Sequence, residues 1–536
     1  MSTLTGLGAT VRITLRRNWL FWLGWAVLLA LLMPATATQY DVIIPPGTDP
    51  RATVEPLLNN PTMLAVLGPA FDLYDKGGFV FWRSGGFTTV LAGLVGGFGI
   101  VRATRAEEEE GRIELVRSGP VGRHAPLAAA VLVCVAGCLL TAAITAGLLV
   151  GLGLAAAGSI ASGLAVGLTG ALYVGIGAVA AQIFESARTV RAWAMGVGLG
   201  GAYLLRAIVD GAGPGSAIEP LRWAIPLQWG MLSRPFADER WWVFGLLAVV
   251  TVGLVGLAFV LESRRDHGAG LVATGLGRTT ARPGLDGAWG LALRLHRGGL
   301  IGWTLALVVS AIAFGSIASG MDRIFEENPE MGIILQRMGG TAELRTAFYI
   351  GILGILVTVT AVMAVSLLNM LHLEENRGHA EQLLATATPR VALALSHLTP
   401  ALLGSAIVTV LVGAGLPLAQ AVTTDDWSLV ADFTGTALAL LPGLVLVVGV
   451  AMLLIGWLPR AFGVVWFVLG WSIFCSWFAI LFDLPRWLVK LQPWGHLTQP
   501  PRDEMDWLPF AVETAIGLVL ILAGLIGYRR RDITGR

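Results

Sequence analysis

Two short acidic phrases hold the most distinctive chemistry in this chain. The first is Glu107-Glu108-Glu109-Glu110-Gly111-Arg112-Ile113-Glu114, and the second is Glu374-Glu375-Asn376-Arg377-Gly378-His379-Ala380-Glu381. Both read E-E-x-x-G-x-x-E, and Gly378 follows Gly111 by 267 residues in a chain of 536. The first phrase runs on through Leu115 and Val116 to a break at Ser118-Gly119-Pro120. The second runs on through Gln382, Leu383 and Leu384 to a break at Thr388-Pro389-Arg390. Acids near a helix start suit its dipole, so each phrase is expected to form a short helix followed by a turn. The chemistry is recognition rather than bond breaking. A solvated loop would explain one copy, but the recurrence of spacing, depth and turn favours two docking points for a soluble partner.

Other reactive side chains are few. Arg206 and Asp210 stand at i, i+4 near the outer end of an apolar run, as a local ion pair or as candidate polar lining of a cavity. Glu513 lies two turns inside another run and is a further lining candidate. Charges inside a bilayer cost about 2.5–3.5 kcal/mol on insertion scales, so such residues face a partner or a cavity. His397 is expected at the membrane interface, and Gln182, Glu185 and Arg188 at a solvated turn. Cys134, Cys138 and Cys475 all fall in apolar runs and read as small core residues, with neither a disulfide framework nor a metal site. There is no G-x-x-x-x-G-K-[ST] to cradle phosphates, no arrangement resembling Ser-His-Asp and no H-E-x-x-H. The chain is therefore not expected to be an enzyme.

The elements that position these residues are apolar. Hydrophobic residues make up 55% of the chain and charged ones 13%, against about 25% charged in soluble domains, which makes this an all-α polytopic membrane protein. About 20 apolar residues span a bilayer. Spans are expected near 18–38, 84–104, 126–156, 160–183, 190–211 and 240–262. A second set falls near 299–320, 347–371, 393–418, 433–457, 461–482 and 508–528. Gly158-Ser159 is the expected hairpin between the third and fourth, and Gly196 and Gly200 offer a small-residue packing face. The run from Asn18 is too long for a cleaved signal and reads as the first span. Trp19, Trp82, Trp241, Trp242, Trp427, Trp457, Trp487 and Trp507 stand at span ends, as interfacial residues do.

The order of features repeats. Leu15-Arg16-Arg17 before the first span matches Leu295-His296-Arg297 before the seventh, and Asn60-Pro61 matches Asn328-Pro329. Arg264-Arg265-Asp266 closes the first half as Arg530-Arg531-Asp532 closes the second. Even span counts make the two six-helix halves parallel: residues 1–263 and 298–536, joined by a linker and connecting helix at 264–297. Basic amphipathic segments, Leu4–Arg17 and Leu291–Leu295, are expected to lead into the first spans at headgroup level. With the N-terminus inside, the inner segments hold roughly two thirds of the 36 Lys and Arg, which places both termini in the cytoplasm by the positive-inside rule. A net charge of +1 gives no reason to expect a nucleic-acid partner.

With those residues in view, the phrase resembles the loop between spans two and three of type-two ABC exporter permeases, where E-x-x-x-G-x-x-E-x-L leads into a proline-containing turn. The chain is similar to a fused pair of such six-span modules, as in polyketide-antibiotic (tetronasin-like) exporter permeases. The resemblance implies that Glu107, Glu108, Gly111, Arg112, Glu114 and Leu115, with Glu374, Glu375, Gly378, His379, Glu381 and Leu383, form coupling helices resting on an ATPase. It implies two copies of a separate ATP-binding subunit that hold ATP and Mg, with no cofactor on this chain. It also implies outward movement of hydrophobic or amphipathic compounds (antibiotic, drug or lipid-like) across a bacterial plasma membrane. Arg112-Ile113 and His379-Ala380 stand where the family often has Thr-Leu, so the two loops are chemically unequal. A proton-driven secondary transporter and a non-transporting regulator of an ATPase are the alternatives.

Overall fold

The computed structural model describes residues 2–44, 61–272, 279–280, 285, 287–327, 341–478, 485–501 and 503–532. The chain divides into two compact units, Met1–Gly277 and Arg278–Arg536. Among the described residues, twelve helices are long and apolar enough to cross a bilayer, six in each unit. The one β feature among them is an isolated parallel bridge between Phe184 and Val272. The protein is an all-α polytopic membrane protein.

In the first unit, α1 (Leu7–Ile43) starts after the left-handed Gly6 and runs 37 residues, about 55 Å at 1.5 Å per residue. The lead-in and the first span thus form one unbroken helix from Leu7, longer than the ~30 Å hydrocarbon layer, and the turns bearing Arg12, Arg16 and Arg17 extend it. Next come α2 (Gly86–Ala103), two short helices α3 (Arg105–Glu109) and α4 (Arg112–Arg117), and the long pair α5 (Ala125–Gly151) and α6 (Ala156–Ile183). The run Ala187–Gly211 forms α7, and α8 (Trp242–Ser263) ends the unit's spans.

Helix α6 packs against α2, α5 and α8, while α1 lies on α5. Small residues set the closest crossings: Gly96 of α2 meets the backbone of Gly170, and Gly163 meets the Ala142 carbonyl. With no hydrophobic force between helices in lipid, such close approach supplies the packing energy. Trp22, Ile100, Leu172 and Tyr173 fill the remaining core.

Several expectations need correction. The α5–α6 hairpin turns at residues 152–155, where Gly153 takes φ +83. Gly158 and Ser159 are buried within α6, Gly158 beneath the Phe236 ring. Trp82 is buried and donates its indole N–H to the Gly68 carbonyl at 3.0 Å, whereas the other seven span-end tryptophans are exposed. The middle of α7, Ala192–Gly201, is π-helical. Four glycines there give weak helix propensity and admit the wider turn. Gly196 and Gly200 do not pack against another helix among the described residues.

The second unit follows the same order. It comprises α9 (Ala288–Glu327), which carries the Leu291–Leu295 lead-in without a break, α10 (Thr341–Asn376), the short α11 (His379–Leu384) and α12 (Arg390–Gly415). Then come α13 (Leu441–Trp457), α14 (Gly463–Phe478) and α15 (Trp507–Arg530). Helices α13 and α15 pair most closely, through Gly449 against Gly517 and Gly456 against Gly524. Pro61 opens a short helix to Leu67; Asn60, Asn328 and Pro329 lie outside the described residues.

Candidate functional site

Each phrase yields the expected short helix and turn, but its leading acids do not start that helix: Glu107 and Glu108 lie in α3, and Glu374 and Glu375 at the C-terminal end of α10. Gly111 takes φ +68 and Gly378 φ +73, a left-handed geometry that costs other L-residues about 1–2 kcal/mol. Each glycine ends one helix and starts the next short one, α4 or α11, with Glu114 or Glu381 in its first turn. Across each glycine the first glutamate of the phrase reaches the residue just beyond. Glu107 takes a two-pronged bond from Arg112 at 2.8 and 3.0 Å, and also pairs with Arg17 of α1. Glu374 meets His379 Nδ1 at 3.2 Å.

The second glutamate turns inward. Glu108 is almost wholly buried and receives both terminal nitrogens of Arg265, each at 2.9 Å. Arg105 adds a bond at 2.8 Å, the Gly268 N–H another at 2.7 Å, and His267 approaches to 3.2 Å. Arg105 also donates to the Phe184 and Ala269 carbonyls, and Arg265 to the side chain of Gln182. Gln182 is thus a buried anchor rather than a solvated turn residue. The third acid, Glu109, accepts the Ala187 N–H at 2.6 Å.

In the second unit Glu375, also buried, pairs with Arg531. The parallel extends further. Arg123, just before α5, donates to the Glu262 and Arg265 carbonyls at 2.7 and 3.0 Å. Arg390, which opens α12, donates to the Arg531 and Arg529 carbonyls at 2.7 and 3.4 Å. In each unit, the chain before and after the short helix therefore grips the end of the unit's last span. Carbonyls at a helix C-terminus lack intrahelical donors and carry partial negative charge, so arginines belong there. The first unit adds a third grip, with Glu262 held by His124 at 2.7 Å and Arg117 at 3.5 Å.

Glu114 and Leu115 stay outward, Leu115 at 77% exposure. Glu381 and Gln382 are exposed, whereas Leu383 packs partly into the second unit's core. The candidates therefore separate: Glu107, Glu108, Glu374 and Glu375 fix the loops, and Glu114, Leu115, Glu381 and Gln382 present the exposed face. Arg265, Arg531, Arg123 and Arg390 are the residues that motif reading left out. The matching R-R-D triplets at the ends of the halves were the available signal.

The intramembrane candidates lie elsewhere. Arg206 is buried, donates to the Ala65 and Val66 carbonyls at 2.9 and 2.6 Å and stands 3.7 Å from Asp210. Asp210 in turn takes bonds from Arg222 at 2.8 Å and Gln228 at 2.7 Å. This network ties α7 to the 61–67 helix and to the 219–228 segment. Glu513 is 8% exposed, and neither of its oxygens has a hydrogen-bond partner among the described residues. His397, expected at the interface, is buried instead, its Nδ1 2.9 Å from Nε2 of His296. Cys134, Cys138 and Cys475 are buried and unpaired. Among the described residues, no group of three His, Cys, Asp or Glu could hold a metal.

The comparisons agree with a membrane-embedded transport body. A family model described as the C-terminal domain of the multidrug efflux system permease Rv1217c matches residues 285–529. The chain is 37% identical, over 535 residues, to the multidrug efflux system permease protein Rv1217c of Mycobacterium tuberculosis (strain ATCC 25618 / H37Rv), covering 99% of this chain and 96% of that protein. Twelve bilayer-length helices, paired loop architecture and end-to-end identity together place this chain in the Rv1217c family of multidrug efflux system permeases.

Proposed function

We propose that this permease is the membrane subunit of an ATP-driven ABC exporter that moves hydrophobic or amphipathic compounds out of the cell. In this reading a separate ATP-binding subunit, in two copies, holds ATP and Mg and docks on α4 and α11. The permease lies in the bacterial plasma membrane with both termini in the cytoplasm. One observation carries the reading: each unit presents a short helix whose root is fixed by buried ion pairs while its outer face stays exposed. A loop that only connected two spans would need no such anchoring. The chain's own residues then have distinct tasks. Glu108 and Glu375 hold the roots, Gly111 and Gly378 set the angle, and Glu114, Leu115 and Glu381 meet the ATPase.

The test is reconstitution. The permease is purified with its co-expressed ATPase, placed in vesicles, and assayed for drug-stimulated hydrolysis and drug flux. Paired replacement of Gly111 and Glu114, or of Gly378 and Glu381, is expected to lower stimulated hydrolysis at least tenfold in folded protein. Flux that persists without any ATPase and collapses with the proton gradient would overturn the reading.

A further inference from the structure

The two units share an internal bond pattern that docking does not require. Glu108 binds Arg265, and Glu375 binds Arg531. Both glutamates are the second acid of their phrase, and both arginines are the middle residue of the R-R-D triplet that ends a half. Arg123 and Arg390 then reach backbone carbonyls at those same helix ends from the other side of the short helix. We infer that Glu108–Arg265 and Glu375–Arg531 are clasps that join each short helix to the last span of its unit, so that a push on α4 or α11 moves α8 or α15 directly. Arg265 and Arg531 are then positioning residues for transport. This rests on the coupling reading above and adds which spans are driven.

The chemistry favours transmission over mere anchoring. A flexible loop gripped at one point would pivot and absorb a push. Each short helix here is gripped before its glycine and again after its turn, and both grips close on one target. The glutamates are buried, so water does not screen the pairs as it does at a surface. The guanidinium fork of Arg265 meets both Glu108 oxygens, which fixes direction as well as distance.

Among the described residues the two clasps carry different bond sets. In the first unit Gly268 and His267 extend the bond set, and the chain after α8 pairs with the end of α6, Leu271 and Val272 donating to the Gln182 and Ile183 carbonyls at 3.1 and 2.9 Å. The second unit has the Arg531 pair and the Arg390 bonds. Arg117, which adds a grip in the first unit, corresponds by the 267-residue spacing to Leu384; Glu262 corresponds, by the 266-residue spacing that aligns the R-R-D triplets, to Tyr528, over whose ring the Arg531 guanidinium lies at 5.2 Å. Among the described residues the first clasp therefore carries the larger bond set.

The experiment has two arms. In the permease alone, with the three native cysteines replaced, spin labels at positions 115 and 263 report the distance between α4 and the end of α8. Arg265→Gln is expected to broaden that distribution at least twofold. Labels at 382 and 530 should report the same for Arg531→Gln. Unchanged widths in both would overturn the clasp, whatever the energy source. In vesicles with the ATPase, Arg265→Gln should keep ATPase affinity within twofold but lower drug moved per ATP hydrolysed at least tenfold, with about threefold for Arg531→Gln. The exchanged pair Glu375→Arg with Arg531→Glu should recover part of the Arg531→Gln loss. A purely structural role would reduce folded protein and leave flux per ATP unchanged, and that result would overturn transmission. Affinity falling in step with flux would place Glu108 at the docking surface and overturn it too. Absence of any ATPase association by the unaltered permease would remove the coupling reading and transmission with it, while the label distances would still decide the clasp.

Discussion

Neighbouring acids in one phrase have opposite energetics. Removing Glu108 strands Arg105 and Arg265 without their buried counter-charge, a change that typically costs about 3–5 kcal/mol. Glu108→Ala should therefore lower the unfolding midpoint of the detergent-solubilised protein sharply. Glu114→Ala touches an exposed carboxylate and should shift stability by no more than about 0.5 kcal/mol, while reducing ATPase stimulation. Equal thermal shifts in the two variants would contradict the buried pair. Glu513 behaves differently again. It is buried, with no hydrogen-bond partner among the described residues, and an unsatisfied buried polar group costs about 1–3 kcal/mol. Glu513→Leu is thus expected to raise thermal stability; a fall would mean that the carboxyl has a stabilising contact. If stability rises while drug flux falls, the carboxyl is kept for transport.

At the scale of elements, glycine does two kinds of work. Gly111 has open space around the place a Cβ would occupy, so Gly111→Ala tests backbone strain alone and should cost about 1–2 kcal/mol. Gly456 is the opposite case. A Cβ there would run into the backbone of Gly524, and Gly456→Val must push α13 away from α15. Its unfolding midpoint should fall further than that of Gly111→Ala, and the reverse order would argue against the close crossing. These cases show what the chain's letters could and could not convey. Apolar run length made the helices legible, and the recurrence of E-E-x-x-G-x-x-E made both short helices legible, while the left-handed turn at each glycine emerged only in the structure. The hairpin was misplaced because Gly158 and Gly153 look alike in sequence; the left-handed turn at Gly153 and the Phe236 ring against Gly158 distinguish them in the structure. Trp82 was misread because a tryptophan at a span end carries no mark of whether protein or lipid covers it. The Glu108–Arg265 bond joins residues 157 apart, a separation that no local pattern encodes, although its two motifs were each visible.

For the molecule as a whole, the repeat matters most where it is imperfect. Both units carry the short helix, the left-handed glycine and the clasp, so the common frame follows from the common pattern. The outward faces differ: α4 shows Leu115, and the matching position in α11 is Gln382. An exposed leucine gains from leaving water, at about 25 cal/mol per Å² of apolar surface. An exposed glutamine gains little, because it exchanges hydrogen bonds with water for hydrogen bonds with protein at small net profit. The two docking surfaces should therefore contribute unequally to holding an ATPase. A minority of interface residues cost more than about 1 kcal/mol of binding free energy when truncated; Leu115 is expected to be one of them, so that Leu115→Ala weakens ATPase association about tenfold. Gln382→Ala should change it by less than about threefold, within 0.7 kcal/mol at 1.4 kcal/mol per decade. Titration of purified permease in nanodiscs with labelled ATPase separates these values. Equal losses at the two positions would mean that docking draws on the shared acidic frame and ignores the side chain that distinguishes the units.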